Sequence, residues 1–236
     1  MNAFISSSFP RRLEDEALDH LSQSDPHAVH SRRDLQRINR IMGSAKIISD
    51  VLSGARMPLR IIELGAGDGT TMLRVAQHFQ GKWPQVHLTL LDRQNLMSKA
   101  TYAAFGRMGW AVDVICDDLQ NWMREPTDQK WDVGVANLFV HHFDEVQISS
   151  LFRALCERTD LFIACEPRRT YMSLLASRLV GMIGANAVTR KDAVLSVRAG
   201  FRDGELSKLW PAAEWLIDER AAGLFSHLFV ARKNTC

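Results

Sequence analysis

The chain has 236 residues, of which 46% are apolar, 24% charged and 8% aromatic. These proportions are those of a globular domain with a sizeable core, and they exclude collagen-like, coiled-coil and disordered classes. The 29 Lys and Arg exceed the 27 Asp and Glu by a net charge of +2, which is too small to predict a nucleic-acid or membrane surface. We therefore expect a small-molecule partner.

The first 57 residues predict a helical cap, and residues 58–236 a catalytic core. The cap prediction depends on apolar residues that recur at helical spacing, namely Leu35, Ile38, Met42, Ala45, Ile48 and Leu52. From residue 59 onward, strand-like runs alternate with helical segments. The five runs are LRIIEL, HLTLLD, AVDVIC, WDVGVAN and TDLFIACE. Five buried strands joined by crossovers predict a parallel sheet with helices on both faces.

One of these helices, at 145–156, opens with Asp144 and Gln147 at the spacing of a capping box. About 45 residues then separate the fifth strand run from the next strand signal, which is too long for an ordinary connection. We predict a helical lid over about 168–212, with helices at 171–182 and 190–197. Two further strand-like runs close the chain and predict an antiparallel hairpin.

The chain lacks any apolar run of the roughly 18 residues that span a bilayer, and its N-terminus lacks a cleavable hydrophobic segment. We therefore expect a cytoplasmic protein with no membrane partner. Its four cysteines, Cys116, Cys156, Cys165 and Cys236, show no paired spacing. They are interpreted as reduced thiols.

A glycine-rich turn follows the first predicted strand. The strand ends at Glu63, and Gly65, Gly67 and Gly69 follow at alternate positions before a helix. Such a turn brings backbone and a helix N-terminus close to a ligand. Dinucleotide-binding folds place G-x-G-x-x-G here, but the glycine spacing differs and Glu63 would repel a pyrophosphate. Glu63 instead favours a ligand with a cationic group.

Carboxylates also end the next two strands. Asp92 closes the second run, where an acid can accept both hydroxyls of a ribose. Asp117 and Asp118 end the third, where a carboxylate can accept from an adenine amine. These acids fit a nucleoside that carries a positive centre and an amino-acid tail.

The segments ELGAGDG, LTLLD, ICDDL and VANLFVHHF, in this order, resemble the four motifs of the class I S-adenosylmethionine-dependent methyltransferases. The resemblance covers residues 59–166 and the closing hairpin. It implies a Rossmann-like α/β fold with a seven-stranded, mostly parallel sheet of order 3-2-1-4-5-7-6, in which one strand is antiparallel. It also implies S-adenosyl-L-methionine as cofactor and S-adenosyl-L-homocysteine as product.

The same resemblance implies a set of cofactor-binding residues. It assigns the methionine part to Glu63, Gly65 and Gly67, the ribose to Asp92, and the adenine to Asp118 and Leu119. Asp117 is the weaker candidate of its pair, and any of these acids could instead be solvated at the sheet edge. The full set is Arg40, Glu63, Gly65, Ala66, Gly67, Asp92, Arg93, Asp117, Asp118, Leu119 and Asn137. Arg40, on the N-terminal helix across the cofactor mouth, is alternatively a plain surface residue.

His141 and His142 are the catalytic candidates. The run after Asn137 lacks the two prolines and aromatic residue common in enzymes that methylate base amines, and instead resembles the small-molecule branch of quinone-pathway and polyketide-type enzymes. Methyl transfer needs a positioned nucleophile and removal of its proton, and histidine's pKa suits a general base. The alternative is a helix-capping or core histidine pair.

Residues 168–208 carry eight Lys or Arg against three acids. Because arginine can hold a carboxylate or phenolate in bidentate fashion, we predict an acidic or phenolic acceptor. The substrate-binding candidates are Phe139, Arg168, Arg169 and Tyr171. Solvated helix faces are the alternative explanation of the arginines.

The sequence thus predicts a methyltransferase that acts on oxygen or carbon of a small, aromatic or phenolic metabolite, as a monomer or homodimer. The alternatives are an RNA or protein methyltransferase, an NAD-dependent oxidoreductase, and an idle cofactor-binding partner of another enzyme. We predict no metal site, because Asp25, His27 and His30 are too scattered to form one.

Overall fold

The structure, a computed structural model, describes residues 9–211 and 213–234. One sheet has the strand order β3-β2-β1-β4-β5-β7-β6. β7 runs antiparallel to both of its neighbours, and all other neighbouring strands are parallel. The predicted fold class and strand order are confirmed. The strands are β1 Arg60–Leu64, β2 His87–Asp92, β3 Ala111–Cys116, β4 Trp131–Asn137, β5 Thr159–Pro167, β6 Trp215–Ala222 and β7 Ser226–Lys233.

Eight α-helices accompany the strands within the described ranges. They are α1 Pro26–Met42, α2 Ser44–Ser53, α3 Thr70–His78, α4 Lys99–Arg107, α5 Leu119–Arg124, α6 Glu145–Arg158, α7 Tyr171–Leu179 and α8 Ala187–Ala199. Short 3-10 turns occupy Ala17–His20, Val140–His142, Val180–Ile183 and Ser207–Leu209. α1 and α2 fall within the predicted cap, and α7 and α8 within the predicted lid. α8 is longer than its predicted 190–197, and α5 was not predicted.

The sheet separates two apolar cores because successive strand residues point to opposite faces. Ile61 faces α2 and α3, where it packs with Ile48 and Met72. Ile62 faces the other side, where it joins a cluster that includes Phe152 of α6. Helices therefore cover both faces, as a parallel sheet requires.

The N-terminal helices are fixed at two places. α2 buries Ile48 and Leu52 in the first core. α1 is held to α8 by the buried carboxylate of Asp34, whose Oδ2 accepts hydrogen bonds from the Asn186 backbone N–H at 3.0 Å and the Thr189 hydroxyl at 3.1 Å. These bonds place α1 above the carboxyl ends of the strands.

Cys116, Cys156 and Cys165 are free cysteines, and Cys236 lies outside the described residues. Burial raises the pKa of Cys156 to about 11 and that of Cys165 to about 12. Both thiols are therefore neutral at physiological pH. Within the described ranges, no helix combines the length and apolar character needed to cross a bilayer.

The capping box of α6 offers a test of the local fold. Asp144 Oδ1 accepts from the Gln147 N–H at 2.8 Å, and Gln147 Oε1 accepts from the Asp144 N–H at 3.0 Å. We expect Asp144→Ala to lower the free energy of unfolding by about 1 kcal/mol, because a first-turn N–H loses its acceptor. Urea denaturation measures this, with exposed Asp128→Ala as control. Equal stability of the two variants would contradict the capping role.

Candidate functional site

A cleft of about 530 Å³ lies at the carboxyl ends of the parallel strands. Open α/β sheets bind ligands at this edge. The loops after β1, β2, β3 and β4 form its floor, and α1 contributes Arg32, Leu35, Gln36 and Asn39 to one wall. A second cavity of about 250 Å³ adjoins the cleft and shares Leu138 with it. We call the first the cleft and the second the apolar chamber.

The turn after β1 is held close to the neighbouring strand loop. Gly65 N–H donates to the Leu91 carbonyl at 2.9 Å, and Gly67 N–H donates to Asp92 Oδ2 at 2.8 Å. Gly65 has φ +64°, and a Cβ added there would lie 2.1 Å from the ring of Phe139. Only glycine fits beneath this ring in that conformation. The turn thereby exposes its backbone to the cleft.

Glu63 is a buried carboxyl group at the end of β1 that lines the cleft. Its Oε2 is buried and has no hydrogen-bond partner among the described residues. Burial raises the pKa of Glu63 well above its ordinary value, and the nearby charges of Asp68 and Asp92 raise it further. A cation nearby would therefore favour ionisation of Glu63.

The three predicted strand-end acids also line the cleft. Asp92 Oδ1 accepts from the Gln94 N–H at 3.0 Å, which fixes the carboxylate beside the glycine turn. Asp118 is the N-cap of α5 and accepts from the Gln120 N–H at 2.8 Å. Asp117 Oδ1 accepts from the Asp118 N–H at 2.7 Å. Local backbone bonds thus orient all three carboxylates at one edge.

The loop after β4 carries a strained residue beside an unsatisfied one. Asn137 is buried, its Oδ1 has no partner among the described residues, and its Nδ2 donates to Thr71 Oγ1 at 3.4 Å. Leu138 has φ +52°, a conformation that non-glycine residues rarely adopt. Its N–H donates to the Cys165 carbonyl at 2.9 Å, which holds the chain in this bend. Such strain persists where the surroundings enforce it.

Glu166 at the end of β5 organises the histidine loop. Its buried carboxylate accepts from the backbone N–H groups of Phe139 at 3.1 Å, Val140 at 2.9 Å and His141 at 3.3 Å. It also accepts from His141 Nδ1–H at 2.7 Å. One carboxylate therefore fixes both the backbone and the imidazole. Sequence reasoning missed Glu166, although a glutamate at the end of an apolar strand was its visible signal.

The other face of His141 meets a carboxylate from the chain's N-terminal part. His141 Nε2 lies 3.5 Å from Glu16 Oε1, and the ring of half-buried His142 lies 4.3 Å from that of His141 between centroids. Burial lowers the pKa of His141, but Glu16 and Glu166 outweigh it and raise this pKa to about 9. Burial raises the pKa of Glu16, but His141 outweighs this and the net shift is downward. Both groups are therefore charged at neutral pH in this arrangement.

Residues 9–18, which we call the N-terminal strap, place Glu16 there. The Arg11 guanidinium donates to the carbonyls of Ala199 at 2.7 Å, His141 at 3.1 Å and Phe143 at 2.8 Å. It also lies 4.5 Å above the Phe201 ring. Arg11 thus connects the strap to the histidine loop and to the end of α8. Sequence reasoning missed Arg11 and Glu16.

Glu16, His141 and His142 form a group that could hold a metal ion, because one ligand atom from each lies within 4.8 Å of the others. This group differs from the residues weighed in the sequence. Asp25 is instead the N-cap of α1 and accepts from the His27 N–H at 2.7 Å.

The structure does not bring the three predicted arginines of the cap and lid, Arg40, Arg168 and Arg169, to the cleft. Arg169 is buried, and its guanidinium bonds to the Gly200 carbonyl at 3.0 Å and to Glu205. Arg168 is half-buried and Arg40 exposed, and neither is among the residues that line the two cavities. Of the other predicted residues, exposed Tyr171 also lies outside both cavities. Ala66, Arg93, Leu119 and Phe139 line the cleft.

Comparison with known proteins identifies a domain within the chain. Residues 61–159 match the family model described as a methyltransferase domain. No curated protein matches the sequence.

Several solved structures share the fold. The plantazolicin methyltransferase BpumL, in complex with a desmethylPZN analog and SAH, has TM-score 0.62 and 14% identity, over 89% of this chain and 92% of that one. An O-methyltransferase family protein from Burkholderia thailandensis has TM-score 0.56 and 15% identity, over 91% of this chain and 63% of its own length. Magnesium protoporphyrin IX methyltransferase from Synechocystis PCC 6803, with bound SAH, has TM-score 0.53 and 13% identity, over 92% of this chain and 91% of that one.

The raised pKa of Glu63 predicts a stability effect with a definite sign. In the folded chain this pKa lies above its ordinary value of 4.5, so the folded state holds a proton that the unfolded state has lost. The free energy of unfolding therefore falls as the pH rises from the ordinary pKa of Glu63 to the raised one. We expect Glu63→Gln to be more stable than the parent at pH 8, with a smaller difference at pH 5. Urea denaturation at both pH values measures this, with Asp128→Asn as control. A pH-independent difference would contradict the assignment.

Proposed function

We propose that the protein is a class I S-adenosylmethionine-dependent methyltransferase, and that it transfers the methyl group to oxygen or carbon of a small acceptor with an apolar, aromatic or phenol-like body. The observation that carries the proposal is the apolar chamber, which adjoins the cleft beside the histidine loop. Its volume of about 250 Å³ suits a small molecule. A cofactor in the cleft and an acceptor in the chamber would meet near Leu138.

The proposed cofactor contacts begin with the amino-acid end. Glu63 Oε2 and Asn137 Oδ1 are both buried without a partner and both belong to cleft-lining residues. Two such acceptors match the ammonium group of the methionine portion, because a buried polar atom without a partner is costly. Gly65, Ala66 and Gly67 are proposed to pass beneath that portion.

The nucleoside end is proposed to lie along the strand-end acids. Asp92 would accept from the ribose hydroxyls, and its fixed carboxylate needs no rearrangement to do so. Asp118 and buried Leu119 would contact the adenine, one as acceptor and one as an apolar surface. Arg93 lines the same end of the cleft. The sulfonium adds a positive charge, which suits a cleft that carries several carboxylates.

The acceptor's character follows from the chamber's lining. Helices α1, α7 and α8 supply mostly apolar and small residues, and the charged members are Glu16 and Asp192. Among described residues, no lysine or arginine lines this chamber. We therefore propose a neutral acceptor, and we do not carry the acidic acceptor of the sequence prediction, or its binding by Arg168, Arg169 and Tyr171, into the proposal.

The histidine pair is proposed to hold the acceptor's reacting group, and the positive charge of His141 to promote loss of the acceptor's proton by favouring its ionised form. His141 and His142 both line the cleft. Glu166 fixes His141 through its ring and its backbone. Fixed positioning is the main source of rate in an in-line displacement. Phe139, which lies over Gly65, would close the site between cofactor and acceptor.

The direct test is transfer of a labelled methyl group from S-adenosylmethionine to a panel of phenols, quinols, hydroxyacids and RNA, with formation of S-adenosylhomocysteine as readout. We expect transfer to neutral phenol-like compounds. Among matched pairs, the methyl ester of a phenolic acid should have a higher kcat/KM than the free acid, because the chamber offers no cation to the carboxylate. Preference for the acid, or for RNA, would contradict the proposed acceptor.

Cofactor binding should release protons. Because an ammonium group favours ionised Glu63, we expect the calorimetric enthalpy of S-adenosylhomocysteine binding to depend on the buffer's ionisation enthalpy. Glu63→Gln should abolish this dependence and weaken binding about 10- to 100-fold, the effect of one charged hydrogen bond. Asp128→Asn is the control. Proton release that persists in Glu63→Gln would exclude Glu63 as its source.

Filling the chamber should separate acceptor binding from cofactor binding. Ala193 of α8 lines the chamber, whereas Lys191 on the same helix is exposed. We expect Ala193→Phe to raise the acceptor's KM and leave the Kd for S-adenosylhomocysteine unchanged, with Lys191→Phe as the size-matched control. An unchanged KM in Ala193→Phe would place the acceptor elsewhere.

A further inference from the structure

We propose that Glu16, His141 and His142 form a binding site for a divalent transition-metal ion of the zinc type, with one coordination position open to the cleft. The inference deepens the proposed function, since the site lies where the acceptor's reacting oxygen is expected. It starts from the ligand types. Two imidazoles and one carboxylate are the set that zinc takes in many sites with an open position.

The spacing of the ligand atoms fits such an ion. His141 Nε2 and Glu16 Oε1 lie 3.5 Å apart. Two ligand atoms at about 2.1 Å from a tetrahedral zinc ion are separated by about 3.4 Å. The third ligand atom, from His142, lies within 4.8 Å of both. A tetrahedral site would require the His142 ligand atom to lie closer to the other two.

The strongest independent observation is the long contact of a buried nitrogen. His141 is 2% exposed, and its Nε2 makes no hydrogen bond of ordinary geometry among the described residues, since its ion-pair partner Glu16 Oε1 lies 3.5 Å away. Buried polar atoms are nearly always closely hydrogen-bonded, so such a long contact at the centre of a ligand cluster needs an explanation. A metal ion would bind both atoms, and His141 Nε2 would release its proton to solvent as the ion binds.

The surroundings of the cluster match the outer shell of a metal site. Glu166 accepts from His141 Nδ1–H at 2.7 Å, which fixes the tautomer that presents Nε2 as a ligand. On the other side, the Ser196 hydroxyl donates to Glu16 Oε1 and to the Asp192 carbonyl. Each of these ligands is therefore oriented by a second residue.

The open position gives the site a chemical role. Three protein ligands leave one tetrahedral position, and the cluster lines the cleft where it adjoins the chamber. An acceptor hydroxyl bound there would be polarised, which lowers the pKa of its O–H, so that its proton passes to water in the cleft. The oxygen would then attack the methyl carbon as the methyl–sulfur bond breaks and S-adenosylhomocysteine leaves. The strap also gains a function, because it delivers one of the three ligands.

Metal binding is tested directly on the full chain, stripped with a chelator. We expect one equivalent of Zn²⁺, and Co²⁺ substitution should produce the intense visible absorption of a four-coordinate site. Glu16→Gln and His142→Gln should lose this spectrum, whereas Glu14→Gln, a cleft carboxylate on the same strap, should retain it. Glu166→Gln should weaken metal affinity about 10- to 100-fold through misorientation of His141.

Binding of S-adenosylhomocysteine is measured on every variant, and it separates this proposal from the proposed function. Retained cofactor binding also shows that a variant is folded. No metal bound by folded parent protein at 100-fold excess, or equal affinities in parent, Glu16→Gln and His142→Gln, would overturn the metal site and leave the methyltransferase assignment intact. Metal binding without methyl transfer to any acceptor would support the site and count against the proposed acceptor chemistry.

Discussion

The carboxylate of Glu166 supports the arrangement of the whole functional edge. It lies at the end of a central strand and accepts three backbone N–H groups and one imidazole N–H from the adjacent loop. A buried carboxylate needs hydrogen-bond partners to offset the loss of its hydration. In return, the loop keeps the bend at Leu138 that carries Phe139 over Gly65. The glycine-rich turn after β1 and the histidine loop therefore depend on the same carboxylate.

Charge is distributed unevenly across this edge. Among the described residues, no group pairs with Glu63 Oε2, whereas Glu16 and Glu166 enclose His141 between them. Glu63 therefore suits a ligand that carries a positive charge, whereas Glu16 and Glu166 stabilise the positive charge on His141. Native structures accept such local costs chiefly where ligands bind. In the basic lid, by contrast, Arg169 donates a hydrogen bond to the Gly200 carbonyl of the same lid.

The sequence predicts most of the fold because burial patterns are local. The run WDVGVAN forms β4 residue for residue. The positions of the acids at the cleft could be predicted in the same way, because each acid comes at the end of a predicted strand. The helical lid was predictable only in outline, since packing on α1 sets the extent of α8. Glu16 and Arg11 could not be predicted, because their partners are remote in sequence and no periodicity records such contacts. The chamber was equally hidden, since three separate helices enclose it.

The strap has a consequence for the order in which the molecule is built. Arg11 bonds to a carbonyl 188 residues further along the chain, and Ala17 to a carboxylate 175 residues away. During synthesis the strap leaves the ribosome long before α8 exists, while the strands of the central sheet already have neighbours to pair with. The nascent chain can thus pair its parallel strands β1 to β5 before α8 appears, and β6 and β7 join the sheet only afterwards. The strap can be anchored only after α8 has emerged, so a half-made polypeptide has the floor of the cleft without the strap beside it.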